Sequence, residues 1–141
     1  MTVSVIIVTI GAKDYLKSCL DSLFDQTDLP YEIIVINNSL KTDFVHQINK
    51  QYPSVITFTG SKNLFYASGM NKGIELAKGE FVLRINDDIV LEKDFIQEGL
   101  RGFLIKKNIG MVSGKILRRD KKTLDSTGLF LSMWRTAKER G

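Results

Sequence analysis

Short runs of aliphatic residues alternate along this chain with longer segments whose apolar residues recur at helical spacing. The first run, Val3 to Val8, consists of valine and isoleucine apart from Ser4, which is typical of a strand buried on both faces of a parallel sheet. Helices between parallel strands form right-handed crossovers, so the pattern predicts an α/β fold with a mainly parallel sheet flanked by helices. Ligands of such sheets bind beyond the carboxyl ends of the strands, which is where we expect the functional residues.

Prolines and glycines set the expected bounds of these elements. Pro30 follows the first helix, Pro53 the second and Gly79 the third. The expected strands are Val3–Val8, Glu32–Ile36, Val55–Phe58 and Phe81–Ile85, and the expected helices are Lys13–Phe24, Phe44–Tyr52 and Ala67–Ala77. With 141 residues the chain is long enough to bury a core, so residues 1–141 are expected to form a single domain.

No segment has the sequence properties of a membrane span or an export signal. The run from Val3 to Ile10 is far shorter than the ~20 apolar residues that cross a bilayer, and no basic residue precedes it. The single cysteine, Cys19, has no partner for an internal disulfide and lies at helical spacing from Leu16 and Leu23, which indicates a thiol in the core. These features predict a cytoplasmic protein.

Positive charge is concentrated in one part of the sequence. The chain carries 20 basic against 16 acidic residues, and its densest basic segments are Lys106–Lys107 and Lys115–Lys122. Three interpretations are open: a solvated loop, a surface for acidic lipid headgroups at the inner face of the membrane, and a nucleic-acid site. Aromatic residues are not interleaved with the basic ones, which argues against base stacking, and we expect no nucleic-acid partner.

Small and polar residues follow three of the predicted strands. They are Thr9–Gly11, Asn37–Ser39 and Asn86–Asp88. Two adjacent carboxylates after an apolar strand repel each other, and a divalent cation with phosphate ligands relieves that repulsion. Local explanations are also open, because Asn and Ser stabilise turns and Asp87 or Asp88 can cap a helix that begins there.

Four segments in this order resemble family 2 glycosyltransferases, which have the Rossmann-like GT-A fold. They are Val3–Thr9, Ile34–Ser39, Asn63–Leu64 with Gly69–Ile74, and Leu83–Leu91, and together they extend over nearly the whole chain. The resemblance implies that residues 1–141 form the nucleotide-sugar-binding portion of such a domain, with a sheet that is incomplete at its C-terminus. The segment Leu124–Gly128 also looks like members that transfer rhamnose or related sugars.

The resemblance implies transfer of a sugar from a nucleotide diphosphate sugar to an acceptor hydroxyl. The expected donor is of the UDP or dTDP type, the acceptor is a saccharide or lipid-linked, and Mg²⁺ or Mn²⁺ assists the departure of the diphosphate. The expected role is in polysaccharide or glycoconjugate synthesis. Inversion at the anomeric carbon also needs a general base, and no residue is assigned to catalysis. A noncatalytic nucleotide- or partner-binding module, from a truncated or degenerate homologue, is the alternative.

The resemblance also assigns candidate site residues. The donor-binding residues are Thr9, Asn37, Asn38, Ser39, Asn63, Gly69, Asn71, Lys72, Asn86 and Asp87, and the metal ligand is Asp88. Thr9 would border the base, and Asn38 and Ser39 would lie beside the base or ribose. Gly69 would allow close approach of the backbone to the donor, and Lys72 would neutralise the diphosphate.

Two of these positions differ from the family pattern. Asn37 stands where the family usually has an acidic residue that helps to read uracil, so a charge is absent beside the base. Asn86 replaces the first acid of the Asp-X-Asp element. That replacement leaves Asp88 as the direct ligand of the cation and Asp87 as a ribose or outer-sphere partner.

Overall fold

A computed structural model of the chain describes residues 1–11, 13–118, 120–126, 129–131 and 137–139. The chain divides into two compact units, Met1–Ile96 and Gln97–Gly141. The strands are β1 Val3–Thr9, β2 Glu32–Asn37, β3 Ile56–Thr59, β4 Phe81–Asn86, β5 Ile116–Leu117, β6 Leu124–Ser126, β7 Leu129–Leu131 and β8 Ala137–Glu139. The helices are α1 Lys13–Phe24, α2 Thr42–Gln51, α3 Phe65–Leu76 and α4 Phe95–Leu104. Within the described residues, no helix is long and apolar enough to cross a bilayer.

The first unit is built on a four-stranded sheet in the order β3-β2-β1-β4, in which every pair of neighbours is parallel. β1 lies between β2 and β4: its residue Val8 pairs with Ile36 of β2 on one side and with Asn86 of β4 on the other. All seven residues of β1 are buried, as the aliphatic run of its sequence predicts. The mainly parallel α/β sheet is therefore confirmed.

Different helices cover the two faces of this sheet. The chain advances from β1 through β2 to β3 and then returns past β1 to β4, so right-handed crossovers put α1 and α2 on one face and α3 on the other. The core cluster on the α3 face consists of Ile6, Val8, Ile34, Ile36 and Met70. The fully buried residues of α1 are Leu16, Cys19, Leu20 and Leu23. The strand residues that alternate with the α3 cluster point toward the α1 face.

Two glycines let α3 approach β1 closely. A Cβ atom on Gly73 would lie 2.3 Å from Cγ2 of Ile6, and one on Gly69 would lie 3.2 Å from the Cγ atoms of Val8. The first distance is far below van der Waals contact, so position 73 admits no side chain unless the helix moves away from the sheet. The two glycines thus set the distance between α3 and β1.

Of the expected elements, only α1 has the bounds that the sequence predicts: β1, β2, β3 and β4 each end one residue later, and β3, α2 and α3 also begin elsewhere. Two of these differences, at the start of α3 and the end of β4, lie at the polar edge of the sheet. α3 begins at Phe65 rather than Ala67, because Oδ1 of Asn63 accepts a hydrogen bond from the N–H of Phe65 at 2.7 Å and satisfies a donor that a first helical turn leaves open. β4 continues to Asn86, since its pairing with Val8 extends the ladder beyond the apolar run. Tertiary pairing therefore sets these two boundaries.

The second unit contains elements that the sequence pattern did not indicate. α4 includes Gly99 and Gly102, which weaken a helical pattern. The strands β5–β6 and β7–β8 form short antiparallel pairs, and so short a strand depends on its partner more than on its own residues.

The basic segment Lys115–Lys122 lies largely in the β5–β6 hairpin. Its Arg118 pairs with Asp125, with 3.1 Å between Nε and Oδ1. Arg119 lies outside the described residues, as do Thr127 and Gly128 of the segment Leu124–Gly128. The likeness of that segment to rhamnose-transferring members stays a prediction.

Replacing Gly73 by alanine tests the close contact between α3 and β1. The new methyl group would overlap Ile6, so we expect the Gly73→Ala protein to lose about 1–3 kcal/mol of unfolding free energy, measured by urea denaturation. Gly99→Ala is the matched control, because a Cβ atom at Gly99 meets nothing within 4 Å and alanine favours a helix by about 0.5–1 kcal/mol. Equal stability of the two variants would contradict the close contact.

Candidate functional site

A cleft opens at the carboxyl ends of the parallel strands of the first unit. Its volume is about 630 Å³, which is typical of small-molecule sites. The lining residues are Val8, Ile10, Asn38, Asn63, Phe65, Tyr66, Asn86, Asp87 and Asp88. Asn38 and Asp88, which follow different strands, therefore border the same space. Segments far apart in sequence meet here because the strands are parallel.

Thr9 fixes the orientation of Asp87. The hydroxyl of Thr9 donates a hydrogen bond to Oδ2 of Asp87 at 2.5 Å and accepts one from the N–H of Gly11 at 3.0 Å. Thr9 is 1% exposed and Asp87 is half-buried, so the Thr9 side of this contact is shielded from water. Thr9 is not among the residues that line the cleft, and it acts there through Asp87.

Asp88 is the exposed carboxylate of the cleft. It makes no hydrogen bond or ion pair with any residue that the structure describes. Oδ1 of the neighbouring Asn86 accepts a hydrogen bond from the hydroxyl of Tyr66 at 3.1 Å. Asp87 and Asp88 lie in a turn, and α4 begins only at Phe95, so neither aspartate caps a helix.

Asn38 joins the end of β2 to the start of α3. Its Nδ2 donates to the carbonyl of Phe65 at 3.0 Å, and its Oδ1 accepts from the N–H of Leu64 at 3.1 Å. Asn38 is 5% exposed, and both halves of its amide are used. We call this pair of bonds the Asn38 clamp, and it holds the lining residue Phe65 at the edge of the sheet.

Asn37 and Ser39 stabilise the loop behind the cleft. Nδ2 of Asn37 donates to the carbonyl of Lys41 and to Oγ1 of Thr59, both at 3.2 Å. Its Oδ1 accepts from the N–H of Ser39 at 3.0 Å and from the Ser39 hydroxyl at 2.6 Å. These bonds occupy the amide of Asn37, and neither residue lines the cleft. Their local contacts match the turn interpretation of Asn37–Ser39.

Three further candidates on α3 lie outside the lining residues. Gly69 is buried against Val8 and Asn38, so it supports the cleft from behind. Asn71 is exposed. Nζ of Lys72 pairs with Glu75 at 3.0 Å and lies 5.4 Å from the centre of the Phe58 ring. The structure does not bring Asn71 or Lys72 to the lining of the cleft.

Cys19 is an inert thiol beneath the site. It is fully buried, and its Sγ lies 3.7 Å from the carbonyl oxygen of Asn86. Burial, followed by the negative charges of Asp87 and Asp88, raises the pKa of Cys19 to about 12. The thiol therefore stays protonated at neutral pH, as expected of a core cysteine rather than a nucleophile.

Four of the lining residues are not among the site candidates that the sequence indicates. Val8 belongs to the aliphatic strand run, and Ile10 is the apolar residue within the segment Thr9–Gly11 that follows it. Phe65 and Tyr66 are 78% and 45% exposed. The sequence shows that these two aromatic residues are adjacent and directly follow Asn63–Leu64. Their exposure, which marks a binding surface, is visible only in the structure.

The oxygen atoms of the cleft suit a hard divalent cation. Asp87 and Asp88 offer carboxylates and Asn86 offers an amide oxygen. The described residues contain no group of three or more His, Cys, Asp or Glu side chains able to hold a metal ion. Mg²⁺ is commonly bound by one or two carboxylates together with phosphate oxygens of a substrate. A cation would therefore fit here only together with a phosphate ligand.

Comparisons with known proteins indicate the family and the fold of the chain. The family model described as Glycosyl transferase family 2 matches residues 4–138. Chondroitin synthase of Pasteurella multocida is 28% identical over 112 residues, and poly(ribitol-phosphate) beta-glucosyltransferase of Bacillus spizizenii is 32% identical over 95 residues. Among solved structures, S. aureus TarS 1-349 in complex with UDP-GlcNAc is 26% identical, with a TM-score of 0.65.

These matches cover most of the chain but a small part of each relative. They cover 78%, 62% and 74% of the chain, respectively. The same matches cover 12% of the chondroitin synthase, 15% of the glucosyltransferase and 32% of the TarS chain. The chain thus spans about a third or less of the length of the proteins it is similar to.

An isosteric change tests the Asn38 clamp. Asn38→Asp keeps an acceptor for Leu64 but sets a second acceptor against the carbonyl of Phe65, so we expect a loss of about 1–3 kcal/mol in unfolding free energy at neutral pH. Protonation of the new carboxyl group restores a donor, so the loss should shrink at mildly acidic pH.

Urea denaturation at the two pH values measures this loss. Asn49→Asp is the control, because Oδ1 of the exposed Asn49 only accepts a bond from Thr57, at 3.3 Å, and an aspartate still accepts. If position 38 tolerates aspartate as well as position 49 does, the clamp does not hold α3.

Proposed function

Because this chain belongs to glycosyl transferase family 2, we propose that it binds the nucleotide diphosphate sugar donor of a glycosyl transfer reaction. The observation that carries the proposal is that Asn38 and Asp88 line one cleft at the carboxyl edge of a parallel sheet. Residues 1–141 are then the nucleotide-sugar-binding portion of a glycosyltransferase. The acceptor is a hydroxyl group of a saccharide or of a lipid-linked molecule.

The relatives support a UDP- or dTDP-type donor and a role in polysaccharide or glycoconjugate synthesis. TarS, at 26% identity, binds UDP-GlcNAc and UDP in its solved complexes. The names of two curated relatives describe synthesis of chondroitin and glucosylation of poly(ribitol-phosphate). This chain would accordingly present a pyrimidine nucleotide to a growing polymer.

The proposed roles of the side chains follow from their contacts. Asn63 uses its Oδ1 on the N–H of Phe65, so its Nδ2 is the group that donates to the base. Asp87, which Thr9 holds in place, accepts a hydrogen bond from the ribose. Asp88, which makes no hydrogen bond or ion pair with the described residues, ligates the cation beside the diphosphate.

Metal assistance is supported by the charge balance of the cleft. Its lining residues include two carboxylates and no lysine or arginine, and Lys72 pairs with Glu75 instead. When bound, Mg²⁺ or Mn²⁺ would offset the charge of the diphosphate as the bond to the sugar breaks. Asp88 would hold the diphosphate end of the donor through this cation. The hydrogen bond from Thr9 would keep Asp87 in its orientation.

Inversion at the anomeric carbon is part of the proposal and requires a general base near the acceptor. Asp87 and Asp88 are the only carboxylates among the lining residues, and both are assigned to the donor. The lining residues therefore offer no further carboxylate as a general base, and this observation favours the competing proposal of a noncatalytic nucleotide-binding module. Release of UDP from UDP-sugars in the presence of saccharide acceptors separates the two, because a noncatalytic module binds the donor without turnover.

Asp88→Ala tests the proposed metal ligand. We expect it to lower the Mn²⁺-dependent affinity for UDP by at least about 10–100-fold in titration calorimetry, because the cation loses its direct protein ligand. Asp28→Ala is the control, since Asp28 is an exposed carboxylate away from the cleft. UDP affinity that is unchanged in Asp88→Ala, or independent of Mn²⁺ in the unaltered protein, would contradict the metal-assisted site.

We also propose that the protein associates peripherally with the inner face of the membrane. Leu104 and Ile105, 70% and 74% exposed, directly precede the exposed Lys106 and Lys107. Exposed apolar side chains beside lysines fit the interface of an anionic bilayer, where each basic residue contributes about 1 kcal/mol.

Charge reversal tests this surface. We expect the double variant Lys106→Glu/Lys107→Glu to lose most binding to vesicles that contain phosphatidylglycerol, measured by co-sedimentation, because two attractions become repulsions. Lys41→Glu/Lys50→Glu makes the same change in net charge at two exposed lysines of the first unit and should bind as the unaltered protein does. An equal loss in both variants would leave only a general charge effect and contradict the proposal.

A further inference from the structure

Phe65 has a backbone conformation that its side chain opposes. Its φ is 58°, in the left-handed region that glycine adopts freely and bulky residues avoid. Such a residue strains the chain by about 1–3 kcal/mol and persists only where the surrounding structure imposes it. The ring does not compensate by burial, because Phe65 is 78% exposed. Position 65 is therefore occupied by a residue that does not favour the local fold.

The surrounding hydrogen bonds explain why the conformation persists. The N–H of Phe65 donates to Oδ1 of Asn63 at 2.7 Å, and its carbonyl accepts from Nδ2 of Asn38 at 3.0 Å. Both bonds involve only the backbone of position 65, so glycine would make them equally well and without strain. The phenyl ring is thus not needed for the clamp or for the start of α3.

The ring borders the cleft, where a planar ligand group can use it. Phe65 lines the cleft next to Tyr66, whose hydroxyl is bonded to Asn86. Its hydrogen-bonded neighbours are the amides of Asn38 and Asn63, which are uncharged and suit the polar edge of a base. The carboxylates of Asp87 and Asp88, by contrast, lie directly after β4. An exposed aromatic ring beside neutral amides fits a nucleobase better than a diphosphate.

We propose that Phe65 is a donor-binding residue of the cleft, whose ring stacks on the nucleobase of the donor. This inference rests on the proposed function, because it names the residue that recognises the base in the same site. Stacking of a base on an aromatic side chain contributes about 1–3 kcal/mol, which corresponds to about 5- to 150-fold in affinity. That contribution offsets the strain that the free protein carries at this position.

Phe65→Gly separates the two effects of the ring. Glycine removes the strain and the stacking surface together, so we expect the melting temperature to rise by roughly 2 °C or more while UDP affinity falls about 5- to 150-fold. Phe65→Ala removes the ring but keeps a Cβ atom in the left-handed conformation, so affinity should fall similarly without the gain in melting temperature. Phe65→Tyr keeps a stacking surface and should keep the affinity.

Titration calorimetry with UDP and with pyrophosphate, each with Mn²⁺, identifies the stacked group. Pyrophosphate has no base, so its affinity should be the same for the unaltered protein and Phe65→Gly. Unchanged UDP affinity in Phe65→Gly, or an equal loss for pyrophosphate, would overturn stacking on the base. An unaltered protein that binds neither probe would instead overturn the proposed function itself, so the two failures are distinguishable.

Discussion

The parallel register of β1 with its two neighbours is the constraint on which the candidate site depends. Thr9 pairs with Asn37 across one edge of β1, and Val8 pairs with Asn86 across the other, so the three strands end at the same level. The contact of α3 with β1 at Gly73 then fixes the helix over the sheet and brings its first turn to that edge. Another strand order would scatter the same polar residues.

Within this frame, hydrogen bonds decide which polar side chains reach the cleft. Asn37 is used inside its own loop, Asn38 joins β2 to α3, and Thr9 orients Asp87. Among the described residues, no buried side-chain nitrogen or oxygen lacks a partner. Because an unpaired buried polar group costs about 1–3 kcal/mol, these bonds resist rearrangement. The walls of the cleft are therefore set by the fold before a ligand binds.

Two features of the cleft leave interactions open in the free protein. Asp88 is an exposed carboxylate that makes no hydrogen bond or ion pair with the described residues. Phe65 keeps a left-handed backbone and an exposed ring. Local departures of this kind are typical of functional sites, where a ligand completes the interactions that the free protein leaves open. A cation, a diphosphate and a base would complete those of this cleft.

Much of this architecture was predictable from the order of aliphatic runs, because residues buried on both faces leave few alternatives to a parallel sheet. Strand ends are also visible in a sequence, so the meeting of Asn38 and Asp88 at one edge followed from the same pattern. A partner that lies far along the chain is not visible there: Asp87 accepts its hydrogen bond from Thr9, and Asn38 bonds the backbone at the start of α3. The sequence by itself determined the sheet and its functional edge. Only the tertiary structure decided which side chains reach the cleft, because the bond from Thr9 to Asp87 and the bond from Asn38 to Phe65 join elements distant along the chain.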